Sequence, residues 1–185
     1  MTQNGRRSEN ELIRLVESLL FVADEPVSTA RLAHTLEVSE ETIQALLDRF
    51  AQECQTRGIR LQRKADHVQL VSAPEAAPYI ERFLGLERST RLSPAALEVL
   101  AIIAYCQPIT RAQIEAIRGV SCDAVLRTLV SHGLVEEVGR LEQAGRPILY
   151  GTTFQFLQHF GLSSLEELPP LAEDRAKSSY KFRYV

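Results

Sequence analysis

Apolar residues recur at helical spacing near the start of the chain, at Leu12, Leu15, Val16, Leu19, Leu20 and Ala23, and again at Leu97, Leu100, Ala101 and Ala104. Each set predicts an amphipathic helix. The second set has a start signal in Ser93-Pro94, since a serine hydroxyl can accept from a free amide of the first turn and proline at the first helical position forfeits no bonded N–H. Both helices should stop before Pro26 and Pro108, because the proline ring disfavours helical backbone in the residue before it. A short helix follows each stop, capped by Ser28 or by Thr110, the latter with Gln113 three residues on in a capping-box pattern. Leu32 and Leu36, or Ile114 and Ile117, form its inner side. A third helix is predicted, capped by Ser39 or by Ser121, with Ile43, Leu46, Leu47 and Phe50, or Val125, Leu126, Leu129 and Val130, on one stripe.

These parallels make an internal repeat. Residues 15–50 align with residues 97–132 without a gap, at an offset of 108 − 26 = 82. Pro26 falls on Pro108, Val27 on Ile109, Ser28 on Thr110, Val38 on Val120, Ser39 on Ser121 and Leu47 on Leu129. Two copies of one small fold are expected.

After each third helix the period changes to two. Ile59, Leu61 and Arg63 alternate with polar neighbours, Lys64-Ala65-Asp66 reads as a turn, and Val68 and Leu70 return, predicting a hairpin. Residues 134–138 and 147–150 play the same parts in the second copy around a longer loop, 139–146. The expected class is therefore mainly α with small β wings, as two tandem winged-helix domains. Residues 1–8 are expected to be a flexible N-terminus, 9–86 the first domain with a closing helix over 74–86, 87–92 a charged linker, 93–168 the second domain and 169–185 a flexible tail.

Charge and composition narrow the chemistry. Charged residues make up 24% of the chain and the formal net charge is −3, too mild to announce a nucleic-acid ligand. The third helix of the first copy carries Glu40, Glu41, Asp48 and Glu53 against Arg49, a face that phosphates would repel. That of the second offers Arg127 and His132 against Asp123, sparse for phosphate contacts. The acidic pair Glu40 and Glu41 also suits the first turn of any helix. The longest apolar stretch, 95–105, is interrupted by Glu98 and short of the roughly 20 residues that span a bilayer. The polar N-terminus has no secretory pattern, so a cytoplasmic location is expected. Cys54, Cys106 and Cys122 are too widely spaced for a zinc or redox motif, and His34, His67, His132 and His159 have no ligand spacing. Gly145-Arg146-Pro147 lacks the Lys-Ser/Thr ending of a phosphate loop. No cofactor and no enzymatic activity are expected.

The stretches 97–105, Gln107-Pro108-Ile109-Thr110-Arg111, Glu115-Ala116-Ile117-Arg118-Gly119-Val120, Leu126-Arg127-Thr128-Leu129, Gly139-Arg140 and Gly145-Arg146-Pro147-Ile148-Leu149-Tyr150-Gly151 closely resemble the ScpB family, as do Phe160-Gly161-Leu162, Leu165 and Leu168-Pro169. The resemblance covers residues 11–170 and departs from the family at Cys106, Gln113 and Ser121-Cys122. It implies two winged-helix domains, homodimerisation chiefly through the first, and binding to the kleisin ScpA, which joins the SMC ATPase in the bacterial condensin complex. The implied role is chromosome condensation and segregation on the nucleoid, with ATP hydrolysis in SMC and direct DNA binding weak or absent. The competing expectation is a dimeric transcription regulator on the same fold.

Candidate contact residues follow. The first helix is apolar around more than one core stripe needs. Leu12, Leu15, Val16 and Leu19 are accordingly candidates for the dimer contact, unless the helix over 74–86 covers that surplus within the same chain. Arg111, Glu115 and Arg118 lie three or four residues apart and form a charged ridge that serves either a partner or weak surface ion pairs. Arg127, Arg146 and Tyr150 are further candidates for a protein interface, where arginine and tyrosine are favoured, although Arg146 could instead brace the wing.

Overall fold

The structure is a computed structural model and describes residues 8–85 and 92–170. The expected N-terminal segment 1–7, the linker positions 87–91 and the tail from 171 lie outside the described residues. The chain is mainly helical with small antiparallel sheets. The described residues divide into two compact units, one of 8–85 with Gly161–Ser164, the other of 92–160 with 165–170.

In the first unit, α1 (Glu9–Val22) starts where the Ser8 hydroxyl accepts from the Glu11 amide. Strand β1 (Val27–Ser28) leads into α2 (Thr29–Leu36), capped by Ser28 as expected and closed by Glu37 in left-handed backbone. Next comes α3 (Glu40–Cys54), whose Ser39 cap accepts from Thr42 N–H. Strands β2 (Ile59–Lys64) and β3 (His67–Ser72) form the predicted hairpin around Ala65-Asp66, in register Lys64↔His67. The sheet order is β1-β3-β2. One core gathers Val16, Leu20, Leu32, Ile43, Leu47, Phe50, Leu61 and Val68. Burying such side chains is worth about 1.5–3 kcal/mol each, which is what holds three helices of modest propensity against a two-sided hairpin.

Residues 74–86 are not one continuous helix. A 3-10 turn, Pro74–Ala76, precedes α4 (Ala77–Leu84), which ends at Gly85 with a positive φ. Proline at 74 and 78 supplies no N–H, so the first turns cannot close an uninterrupted α-helical ladder. More consequential is that α4 buries none of its residues. Its main packing neighbour is the adjoining 3-10 turn, so α4 leaves the surplus apolar surface of α1 uncovered.

The first unit is completed late in the sequence. Ser163 C=O accepts from Arg63 N–H at 2.8 Å, and Leu162 C=O accepts from the Gln62 side-chain amide at 2.7 Å. Gln62 is buried and its Oε1 accepts from Gln69 Nε2 at 2.9 Å, so both ends of the amide are paired. Gly161–Ser164 thus groups with the first unit although it falls inside the span 93–168 expected for the second.

The second unit repeats the order. It runs α5 (Pro94–Cys106), β4 (Ile109–Thr110), α6 (Arg111–Arg118), α7 (Asp123–Ser131), β5 (Val135–Arg140), β6 (Ile148–Thr152) and α8 (Phe154–Phe160), with sheet order β4-β6-β5. The 82-residue offset relates β1 to β4 and α2 to α6 residue for residue. Ser93 caps α5 and the full capping box of Thr110 and Gln113 starts α6. The core joins Val99, Leu100, Ile103, Ile114, Leu126, Leu129 and Leu157. Ser121 does not cap α7, in contrast to Ser39. The N-cap position is Cys122, with no side-chain cap, and the Ser121 hydroxyl turns back to Glu115. The buried Cys122 side chain lacks a strong acceptor, and the reach of Glu115 decides where the serine points.

Candidate protein-binding surfaces

Two surfaces, one on each unit, carry the candidate contact residues. On α1, the helical period divides the apolar residues between two directions. Val16, with 0% of its surface exposed, and Leu12 are enclosed in the core of their own unit, which corrects their assignment to a dimer contact. They lie on the stripe facing α3 and the sheet. Leu15 and Leu19 are half-buried on its margin, and Val22, in line with them at i, i+4 and i+7, is 69% exposed. Phe21 beside it is 82% exposed. Val22 is not among the residues that the sequence reading gave to this surplus apolar surface, because a run of apolar residues at a helix end does not disclose where the core stops.

Around α3, basic side chains are already engaged. Arg49 pairs with Glu9 at 3.2 Å and Glu53 at 3.2 Å and donates to the Asn10 side chain. Arg57 pairs with Glu17 at 3.1 Å, and Arg63 with Asp48 at 2.6 Å. These pairs leave α3 with an acidic balance.

In the second unit the sequence candidates separate into three places. Arg111 and Arg127 both reach Asp123, at 2.7 and 2.8 Å. Glu115 accepts from Ser121 Oγ–H and from Cys122 N–H with one oxygen, each at 3.0 Å. The Cys122 amide first, and the Ser121 hydroxyl next, hold the Glu115 carboxyl below the usual carboxylate range. The Asp123 hydrogen bond pushes Arg111 up from the ordinary guanidinium value, helped by the charge of Glu115. Tyr150 on β6 is half-buried, and burial raises its phenol, with the charge of Glu137 adding to the rise and that of Arg111 offsetting part of it. Arg111 and Arg127 therefore converge on Asp123, a residue the sequence reading treated only as an opposing charge, while Glu115 is engaged one step away at Ser121 and Cys122 and Tyr150 lies on β6 within electrostatic reach.

Arg118 is elsewhere. Its side chain is 7% exposed, and its Nε and Nη2 donate to Glu98 of α5 at 3.1 and 3.0 Å, while Nη1 reaches Ser121 C=O at 3.4 Å. It braces α6 against α5 and does not present a free cation, which corrects its place on a single exposed ridge. Arg146 lies on the β5–β6 loop in left-handed backbone with Glu142 at 3.3 Å, and its carbonyl accepts from Arg140. Gln107 is a further structural residue that sequence reasoning passed over. Its Oε1 accepts from the Thr152 amide at 2.7 Å and from the Thr152 hydroxyl at 3.1 Å. A Cβ on neighbouring Gly151 would come within 3.0 Å of that oxygen and 2.9 Å of Val138, so glycine there permits the contact.

Among the described residues, no group of histidine, cysteine and carboxylate side chains could hold a metal ion, and no helix is long and apolar enough to cross a membrane. Cys54 and Cys122 are buried free thiols and Cys106 is half-buried. The arrangement offers ion-paired and apolar contact surfaces.

Comparison with known proteins gives a consistent set. Residues 14–171 match the family model described as segregation and condensation complex subunit ScpB. The chain is 49% identical over 174 residues to segregation and condensation protein B of Geobacillus kaustophilus, covering 92% of this chain and 80% of that protein. It is 50% identical over 160 residues to the protein of the same name from Desulforamulus reducens, covering 85% and 88%. Among solved structures it is similar to a dimer of the ScpB N-terminal domain complexed with an ScpA peptide, at 34% identity over 38% of this chain and 91% of that one, with a TM-score of 0.37.

Proposed function

Because this chain belongs to the family of segregation and condensation complex subunit ScpB, we infer that it is a non-catalytic subunit of the bacterial SMC condensin complex, a homodimeric scaffold that holds the kleisin ScpA. The family match along 14–171 is the observation that carries this reading. SMC is reached through ScpA, and the assembly works in the cytoplasm on the nucleoid. The helix order with a closing hairpin, repeated once, supports two tandem winged-helix domains. The first domain pairs with a second copy through the margin of α1, at Leu15, Leu19, Phe21 and Val22. The second domain offers Arg111, Glu115, Arg127 and Tyr150 to ScpA, with Arg146 on the neighbouring wing. Arg118 shapes this surface by holding α6.

A DNA-reading regulator is the weaker reading. A recognition helix brings unpaired basic and amide groups to the groove, whereas Arg49, Arg57, Arg63, Arg111 and Arg127 all have carboxylate partners within the chain. Direct DNA binding is therefore weak or absent. Co-purification with ScpA from the same organism, followed by light scattering, tests the scaffold. A stable complex with two copies of this chain is expected. A folded chain that ignores ScpA and binds duplex DNA at near-physiological salt would reverse the assignment.

A further inference from the structure

Each unit has one long outer strand, and only in the first is its outer edge met. Strand β2 ends the order β1-β3-β2 as β5 ends β4-β6-β5. On β2, Arg63 N–H donates to Ser163 C=O and the Gln62 side-chain amide to Leu162 C=O. Among the described residues, β5 pairs with β6 alone. Such an edge is a template for one more strand. A bulge between Glu137 and Gly139 makes Val138 the extra residue of the ladder, 48% exposed, with Glu136 and Glu137 exposed beside it. Arg140, further along, donates to the Arg146 C=O. A bulge or an edge lysine is what usually keeps an outer strand from being extended. Here the bulge carries an apolar side chain and the charges beside it are acidic, a combination that suits a strand with one apolar and one basic side.

We propose that residues 180–184 of the same chain add to β5 as a fourth strand, bringing Tyr180, Phe182 and Tyr184 to Val138 and Lys181 and Arg183 to Glu137. The charged run over 173–177 gives the expectation of a flexible tail, but from 180 the pattern changes. Aromatic and basic residues alternate there with a period of two, the pattern of a strand with unlike faces. From 175 to 185 the chain carries Arg175, Lys177, Lys181 and Arg183 and no acidic side chain, so its charge complements the edge. Opposite charges and aromatic side chains against β-branched ones are the cross-strand pairs that stabilise a sheet. The reach is sufficient. Tyr105 Oη–H donates to the Pro169 C=O at 2.6 Å, which holds the last described residues beside the C-terminal turn of α5. Gln107, two residues on, borders the same Gly151 as Val138, since a Cβ there would come within 3.0 Å of Gln107 Oε1 and 2.9 Å of the valine. The nine residues 171–179 span up to about 30 Å when extended.

Hydrogen–deuterium exchange of the full chain, read by mass spectrometry, tests the pairing. Peptides from β5 and from 179–185 should both be protected. Lys181→Glu with Arg183→Glu should speed exchange in both by about tenfold while β2 keeps its rate. Glu137→Lys should act likewise, and joining it to the two tail substitutions should restore protection, a rescue that loss of folding would not give. A carbodiimide, which joins a carboxylate to an amine without a spacer, should link Glu137 to Lys181. In a mixture of isotope-labelled and unlabelled chains the linked peptides should carry matching labels. Exchange of β5 that is the same in the wild type and in the tail variant would overturn the proposal. Protection of β5 that arises only when ScpA is added would give the edge to a partner's strand. Tail substitutions that leave β5 unchanged but release the chain from duplex DNA would give the tail to nucleic acid. Either result overturns the docking, and links between labelled and unlabelled chains overturn its placement within one chain.

Discussion

Arg118 and Arg127 carry the same charge on neighbouring helices, yet their surroundings assign them different work. The Arg118 guanidinium is almost enclosed and donates twice to Glu98, and a charged hydrogen bond lost from such a place costs about 1.5–3 kcal/mol. Arg118→Ala should therefore lower unfolding stability by about 2 kcal/mol in urea titration, with Arg118→Lys retaining part of it. Arg127, 76% exposed beside Asp123, should change stability by less than about 0.5 kcal/mol when truncated. Glu115 adds a pH dependence of determined sign. Its folded carboxyl is held below the ordinary range by the Cys122 amide and the Ser121 hydroxyl. Its contribution is thus complete above the unfolded carboxylate value and is lost as pH falls through the folded one. Thermal unfolding from pH 7 to pH 3 should show the wild-type advantage over Glu115→Gln shrinking toward the acid end. A widening gap would contradict this assignment. Sequence spacing correctly put Arg111, Glu115 and Arg118 on one helix, but it reports angle around an axis and not the reach of a side chain. Arg118 turns to α5 and Arg111 to the start of α7 for reasons that reside in the packed neighbours Glu98 and Asp123.

Helix starts were the most legible elements, because Ser28, Ser39, Ser93 and Thr110 satisfy orphan amides within three residues of themselves, a relation written entirely in local sequence. Ser39→Ala should cost about 1 kcal/mol in chemical denaturation. Ser121→Ala should cost less, since its hydroxyl is not a cap and Glu115 keeps the Cys122 amide when that hydroxyl is gone. Equal losses would restore Ser121 to the capping role that the repeat suggested. The hairpins were legible from their period of two, whereas β1 and β4 were not, since a two-residue strand has no period and exists only through its pairing with β3 or β6. Helix α8 went unread for a related reason. Its buried residues, Phe156 and Leu157, are adjacent, and adjacency fits a helix or a strand equally. The bare side of α4 was the reverse case, with a clear apolar stripe that no core of its own unit receives.

At the scale of the molecule, the two surfaces should be separable. Arg111→Glu with Arg127→Glu brings three like charges together around Asp123 and is expected to reduce co-purification with ScpA by an order of magnitude or more. The homodimer mass by light scattering should be unchanged, because neither residue belongs to the unit that carries α1. Loss of both properties together would mean that the variant unfolds or that the assignment of surfaces is wrong. The repeat made two similar folds legible, but not the discontinuity of the first, since nothing in the composition of Gly161–Ser164 states that Leu162 and Ser163 meet Gln62 and Arg63. That discontinuity orders events at the ribosome. The helices and hairpin of the first unit can assemble once residues up to 85 have emerged, but β2 is an edge strand whose closing segment is made after the whole of α5 to α8. At about 5–20 residues per second the nascent chain leaves this edge open for several seconds, with the amides of Gln62 and Arg63 unsealed until Leu162 and Ser163 have been made.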